Sequence, residues 1–283
     1  MTISNKFILK SIESFNSGRF YQAVREFNSG LLRDIENNSF SYVEESLNAI
    51  LPALEFNSLY HETEQIIQYY LTHLKKHKAV KNGFMPIITV LNNNFKANLY
   101  PTCTLRILSG FLDFFNNNGE PDIIDYMKNN SLSLLKNAEH FTLYQEVEEK
   151  IFISLIMSSL FQEAETMART NFLNNLENVR QLDYILYSLI ILAINGNLTE
   201  STKLIRDLRK IIPSDVQKAS TLFQCCTEFL LASSGKDFDW VQELQVHFSE
   251  SLKNKVVRLL IMNLIKKIFP EETKISIFDL FKQ

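Results

Sequence analysis

The sequence predicts an all-α fold built as an α-solenoid of stacked antiparallel helical hairpins. Apolar residues recur at steps of three and four along most of the chain. A plan of turn, large apolar residue and smaller residue three places later returns at intervals near 40 residues. Only 7 glycines and 6 prolines occur in 283 residues. So few turn-formers suit long helices with short loops better than the many tight turns of a β fold. With 46% hydrophobic and 12% aromatic residues, the chain has core material for one large domain or two small ones.

The first hairpin is read from "KFILKSIESF" and "FYQAVREFNSGLLRDI". Ile8, Ile12 and Phe15 face inward in the first helix, and Phe20, Val24, Phe27, Leu31 and Ile35 form one stripe in the second. The helices meet at Ser17-Gly18, where glycine takes the left-handed conformation that ends a helix. The plan returns at "LYHET" (59–63), "SLFQEA" (159–164), "NGNLTES" (195–201) and "SGKDFDWV" (234–241). Its small residue lies one turn beyond the anchor, where missing bulk lets a neighbouring helix approach. Phe20 and Tyr60 stand 40 positions apart, Phe161 and Leu198 37, and Leu198 and Phe238 40. That spacing belongs to stacked helical pairs of the TPR-like kind, and six or seven hairpins fit. Pro52 is expected to kink its helix or begin a new one. "KNGFMP", "NLYPT" and "NNNGEPD" are expected loops. Two halves, residues 1–140 and 141–283, are expected to meet near 140 without a domain-scale linker.

The longest apolar run, "YILYSLIILAI" (184–194), is shorter than the ~20 residues of a membrane span. The N-terminal stretch breaks its apolar residues with Lys6, Lys10 and Glu13, unlike a signal peptide. Cys103, Cys225 and Cys226 form no C-x-x-C pair and suit a reducing compartment. A cytosolic protein with no direct membrane insertion is the expectation. The net charge of -3 supplies no global field for nucleic acid. Charge is nonetheless blocked: residues 1–33 carry Lys6, Lys10, Arg19, Arg25 and Arg33 against Glu13 and Glu26. Residues 34–72 hold seven acids and no Lys or Arg, and 73–106 hold six basic residues and no acid. Such blocks pair hairpin with hairpin, face partners, or form solvated surfaces.

Motifs for chemistry are missing or incomplete. No two glycines are close enough for a phosphate loop. "HETEQ" (61–65) has Gln65 where a zinc-protease helix needs its second histidine. His73 and His77 share a helix face, but "THLKKHKAVK" surrounds them with cations that oppose a metal. His140 and His247 have no nucleophile motif beside them. Asp237-Phe238-Asp239 lacks the later ligands of a calcium loop, and Glu148-Glu149 reads as surface rather than an acid–base pair. No catalytic, metal or cofactor residue is therefore nominated. An enzyme site would need residues distant in sequence. Phe84, Phe95 and Tyr100 within the acid-free block raise an RNA reading, but apolar periodicity places such aromatics in a core. Trp240 reads as core or as an interface anchor.

"SGRFYQAVREFNSGLLRDI" resembles the opening of the Get-four family, the cytosolic scaffold of the guided entry of tail-anchored proteins. Gly18, Phe20, Tyr21, Ala23 and Arg33 match its pattern, and Gln22 replaces the usual acid. "TEFLLASSGKDFDWVQELQVHFSESLKNKVVRLLIMNLIKKIFPEE" is similar to the family's closing segment, with Ile268-Phe269-Pro270 for its Phe-Phe-Gly. "EPDIIDYMKNNSLSLLKN" and "SSLFQEAE" follow in the expected order, and the family's Leu-His pair stands here as Val147-Glu148. The resemblance implies a non-catalytic adaptor without cofactor. It would bridge a targeting ATPase, held by the N-terminal half, and a ubiquitin-like-domain protein, held by the C-terminal half. Lys6, Lys10, Arg19, Arg25 and Arg33 are the candidates for the first contact, with Arg33 alone carried by a motif match. Leu222, Phe223, Phe229, Leu230 and Trp240 are the candidates for the second, beside a short "IIPSDVQKAS" where the family has an insertion. A helical-repeat subunit of another assembly, of the proteasome-lid type, is the alternative.

Overall fold

In a computed structural model, the described residues are 6–37, 39–77, 80–118, 141–174, 176 and 178–272. They form fourteen α-helices and no strand, the all-α helical-repeat class that the periodicity predicts. The chain divides into two units, 1–154 and 155–283. The division falls inside a helix rather than near 140, and residues 119–140, with most of "NNNGEPD" and all of "EPDIIDYMKNNSLSLLKN", lie outside the described residues.

The first unit holds α1 (Lys6–Asn16), α2 (Phe20–Glu36), α3 (Ser41–Phe56), α4 (Tyr60–Lys76), α5 (Val80–Ala97), α6 (Pro101–Asn118) and most of α7 (Phe141–Met157). Sequential helices pair as hairpins α1/α2, α3/α4 and α5/α6. The pairs stack in two layers, α1 on α3 on α5 and α2 on α4 on α6. Phe27, Leu31 and Ile35 from the α2 stripe are fully or nearly fully buried between them.

The hairpin bends share one geometry. Gly18 has φ +71°, the Arg19 N–H bonds the Ser14 carbonyl at 2.9 Å, and the Gly18 N–H bonds that of Phe15 at 3.0 Å. This crossed pair of bonds satisfies carbonyls that a helix end leaves open. The same left-handed residue recurs at Ser58, Asn98, Ser159, Gly196 and Lys236. The following N–H reaches back five residues at each, as from Leu59 to Leu54 and from Asp237 to Ala232. Glycine therefore occupies only two of these six positions. In "SGKDFDWV" the left-handed residue is Lys236, while Gly235 closes the preceding helix.

The residues three beyond the anchors are buried as the plan requires: Ala23, Thr63, Ala164, Ser201 and Val241 are all 2% exposed or less. Close approach there permits cross-helix bonds, with the Ser11 hydroxyl donating to the Ala23 carbonyl at 2.8 Å and Ser201 to that of Leu189 at 2.7 Å. One expectation fails. "KNGFMP" is no loop but lies within α5, where Phe84 and Ile87 are buried; Phe84 packs edge-on against Phe111 and Phe114 of α6. Burial of that stripe outweighs the local preference of Gly83 and Pro86 for a bend. Pro52 sits inside α3, so of the two outcomes expected of it the start of a new helix is excluded.

The second unit holds the end of α7, α8 (Phe161–Asn171), α9 (Leu182–Ile194), α10 (Leu198–Ile211), α11 (Ser214–Ala219), α12 (Thr221–Gly235), α13 (Phe238–His247) and α14 (Lys255–Ile268). The apolar run of the sequence becomes α9, buried on nearly every side because α8, α10, α12 and α14 all pack on it. No helix among the described residues is long and apolar enough to cross a membrane. Arg169 ties α8 to α10 by two hydrogen bonds to Glu200, at 2.8 and 2.7 Å, and also bonds Glu165 at 2.8 Å.

Candidate functional site

The charge blocks are partly spent on packing. Arg106 of the basic block meets Glu64 of the acidic block at 3.4 Å and Glu146 of α7 at 3.5 Å. Lys150 of α7 bonds Asp113 at 2.8 Å, Glu146 at 3.1 Å and the Ser109 hydroxyl at 2.6 Å, so α6 and α7 are pinned by one polar network. Those partners hold the Lys150 ammonium above its usual range although burial opposes it; a cation so held cannot serve as a base.

The first hairpin differs. Lys6, Lys10, Arg19, Arg25 and Arg33 are all exposed, and no ion pair among the described residues holds any of them. They do not form one face. Glu26 accepts from Gln22 and from Ser14 of α1, both at 2.9 Å, and these bonds, aided by Lys10 and Arg19, hold its carboxyl below the usual range. Lys10 and Arg19 thus lie along the α1–α2 seam. Arg25 stands on the opposite flank of α2, lining a groove against α4 of about 490 Å³ with Tyr21, Asn28, Glu62, Gln65 and Tyr69. At ~100° per residue Arg33 projects about 80° from Arg25. Tyr21 is 86% exposed. The sequence held a signal for this groove, since Tyr21 lies one position off the buried stripe, but pairing with α4 cannot be read locally.

In the second unit, Phe223, Phe229 and Leu230 are 2%, 0% and 0% exposed. They are core, so the groove assigned to them is corrected: side chains enclosed by their own helices offer nothing to a partner. Leu222 and Trp240 alone of that set keep partial exposure. The "IIPSDVQKAS" stretch carries the short helix α11. Glu148 is also corrected, being 7% exposed rather than surface, and Val147 beside it is fully buried.

Other candidates resolve into structure. Asp237 caps α13 by accepting from the Trp240 N–H at 2.9 Å. His61 bonds Gln65 at 2.9 Å, and no group of three or more His, Cys, Asp or Glu among the described residues could hold a metal. Phe84 is enclosed and cannot stack on a base, and the Phe95 side chain lies outside those described. Burial pushes the Cys225 thiol up to about 12 and the Cys226 thiol well above its ordinary range, so neither is a thiolate near neutrality.

His73 packs on Tyr69 with centroids 4.3 Å apart, and its buried Nδ1 has no hydrogen-bond partner among the described residues. Burial first, then the charges of Lys76 and His77, push its pKa below the ordinary value. Above about pH 6.5 both folded and unfolded forms are neutral; below it the unfolded chain takes the proton first, so stability falls. The melting temperature should therefore drop between about pH 7.5 and 5.5, and less so in a His73→Gln variant. Equal losses in the two proteins would clear His73 of the effect. No protein-family model, curated protein or solved structure matches this chain.

Proposed function

We propose that this chain is a non-catalytic adaptor that bridges a targeting ATPase and a ubiquitin-like-domain protein in delivering tail-anchored proteins to the endoplasmic reticulum membrane from the cytosol. The observation that carries this reading is the set of five exposed cations of the first hairpin, Lys6, Lys10, Arg19, Arg25 and Arg33, for which no ion pair is found among the described residues, whereas Arg106, Lys150 and Arg169 are drawn into links between helices. Exposed charge of this kind steers association and discriminates partners. The resemblance of the first hairpin to the Get-four opening supplies the partner, a targeting ATPase. A second contact, in the C-terminal half, would use Leu222 and Trp240 without the core residues beside them.

Binding of the purified ATPase should weaken as salt rises, because a Debye length of about 10 Å at 0.1 M screens surface charge. Reversing Arg25 and Arg33 to Glu should lower affinity roughly tenfold or more at low salt, with most of the change in the association rate. Unchanged affinity at low salt would remove the first hairpin from the interface.

A further inference from the structure

The α14 helix buries Val257, Leu260, Ile261, Leu264 and Ile265 and packs on α9 and α12. Its other side is a basic stripe. Residues 251–270 hold five cations and no acid. At ~100° per residue, Arg258, Leu259, Met262 and Lys266 all fall within about 60° of Lys255, along about 16 Å of helix. Lys255, Arg258 and Lys266 are exposed, and Leu259 and Met262 between them are partly so. None of the three cations has an ion pair among the described residues, whereas Arg169, Arg209, Lys210 and Lys253 of the same unit all meet acids.

Helix stability explains only one end of the stripe. Lys266 stands in the last turn, where the helix dipole favours a cation. Lys255 opens the first turn, which carries no acid, and there the dipole opposes it. Asn254 already caps that end, accepting from the Val256 and Val257 N–H groups at 2.9 and 3.3 Å. An acid at 255 would suit the fold better, whereas a lysine there suits an anionic partner. A phosphate backbone would gain nothing from Leu259 and Met262, and no aromatic residue stands on the stripe to stack a base. Two partly covered side chains are too little apolar area to insert into a bilayer. Apolar residues with cations at both ends match a second helix of complementary charge, with acids in its outer turns and apolar residues between them.

We propose that the stripe from Lys255 to Lys266 on α14 is a docking surface for an acidic amphipathic helix of a partner protein. Neither contact of the adaptor reading uses this face, so either can fail without the other. The probe is a labelled helical peptide with glutamates in its end turns and leucines at its centre, followed by fluorescence anisotropy at low salt. In the full chain, Lys255→Glu, Arg258→Glu should weaken its binding roughly tenfold or more, yet raise the melting temperature by about a degree, because an acid suits that helix end. Lys203→Glu, Arg206→Glu, an exposed pair on α10 with the same change in charge, should weaken it far less. Leu259→Ser, Met262→Ser should also cost affinity, a loss that contact by charge alone would not show. The gentler pair Lys255→Gln, Arg258→Gln reads the same weakening if the reversed charges disturb folding. Affinity that survives all the changes on α14, a scrambled peptide that binds equally well, or single-stranded RNA or phosphatidylserine vesicles held more tightly than the peptide would overturn the proposal.

Discussion

Replacing Phe229 by alanine should lower the stability of the chain by about 3–5 kcal/mol, the usual cost of deleting a fully buried aromatic ring. Phe229 is 0% exposed in α12, and its ring lies 6.4 Å from that of Phe248, itself 7% exposed. Around it α12 packs on α9, α10, α13 and α14, so relaxation to close the gap would have to move several helices together. A thermal melt followed by circular dichroism should show a fall of roughly 10 °C or more. The experiment also separates core from docking surface. A ring that bound a partner would, on removal, leave the melt unchanged and weaken the complex instead. A melting temperature within a degree of the natural chain would refute the burial argued above.

Gly83→Ala should lower stability by about 1–3 kcal/mol, against the ~1 kcal/mol that alanine ordinarily gains over glycine in a helix. A Cβ built on Gly83 meets Leu74 of α4 with Cδ1 at 2.6 Å and Cγ at 2.9 Å, and with Cδ2 closer still. Leu74 is 0% exposed and cannot swing away, and the Tyr70 hydroxyl donates to the Gly83 carbonyl at 2.9 Å, so drawing α5 back would stretch that bond. Gly110 in α6 is the control. A Cβ there meets Ile67 Cγ2 at 3.5 Å, ordinary contact, and Gly110→Ala should stabilise by about 0.5–1 kcal/mol. Denaturant melts of the two variants should move in opposite directions. A shift of Gly83→Ala toward greater stability would mean that α4 and α5 are not so closely packed.

Much of the hairpin grammar was legible from residue order. Phe20, Phe27, Leu31 and Ile35 mark the helix stripe, Gly18 and Gly196 mark bends, and Ala23, Thr63 and Ala164 mark close approaches. Ser58, Ser159 and Lys236 were not legible as left-handed residues, since L side chains there are held by the hairpin rather than chosen for that conformation. The candidate site was legible only as a list of cations. Which of them are paired depends on acids far away in the chain: Arg106 finds Glu64 and Glu146, whereas Arg25 and Arg33 find none among the described residues. In the second unit the same limit misplaced Phe229 and Leu230, because an apolar residue on a helix reads alike whether its stripe meets another helix or solvent.

The order of residues alone determined that this chain is helical, where several of its hairpin bends fall, and which side of the first two helices is apolar, since these follow from spacing within a few turns. Only the tertiary structure decided that α9 is enclosed by four helices, that Gly83 serves helix contact rather than a bend, and that the cations of the first hairpin divide between a seam and a groove. Such choices depend on surfaces that meet across long stretches of sequence. There, free energy is set by which side chains exclude water together rather than by any residue's own preference.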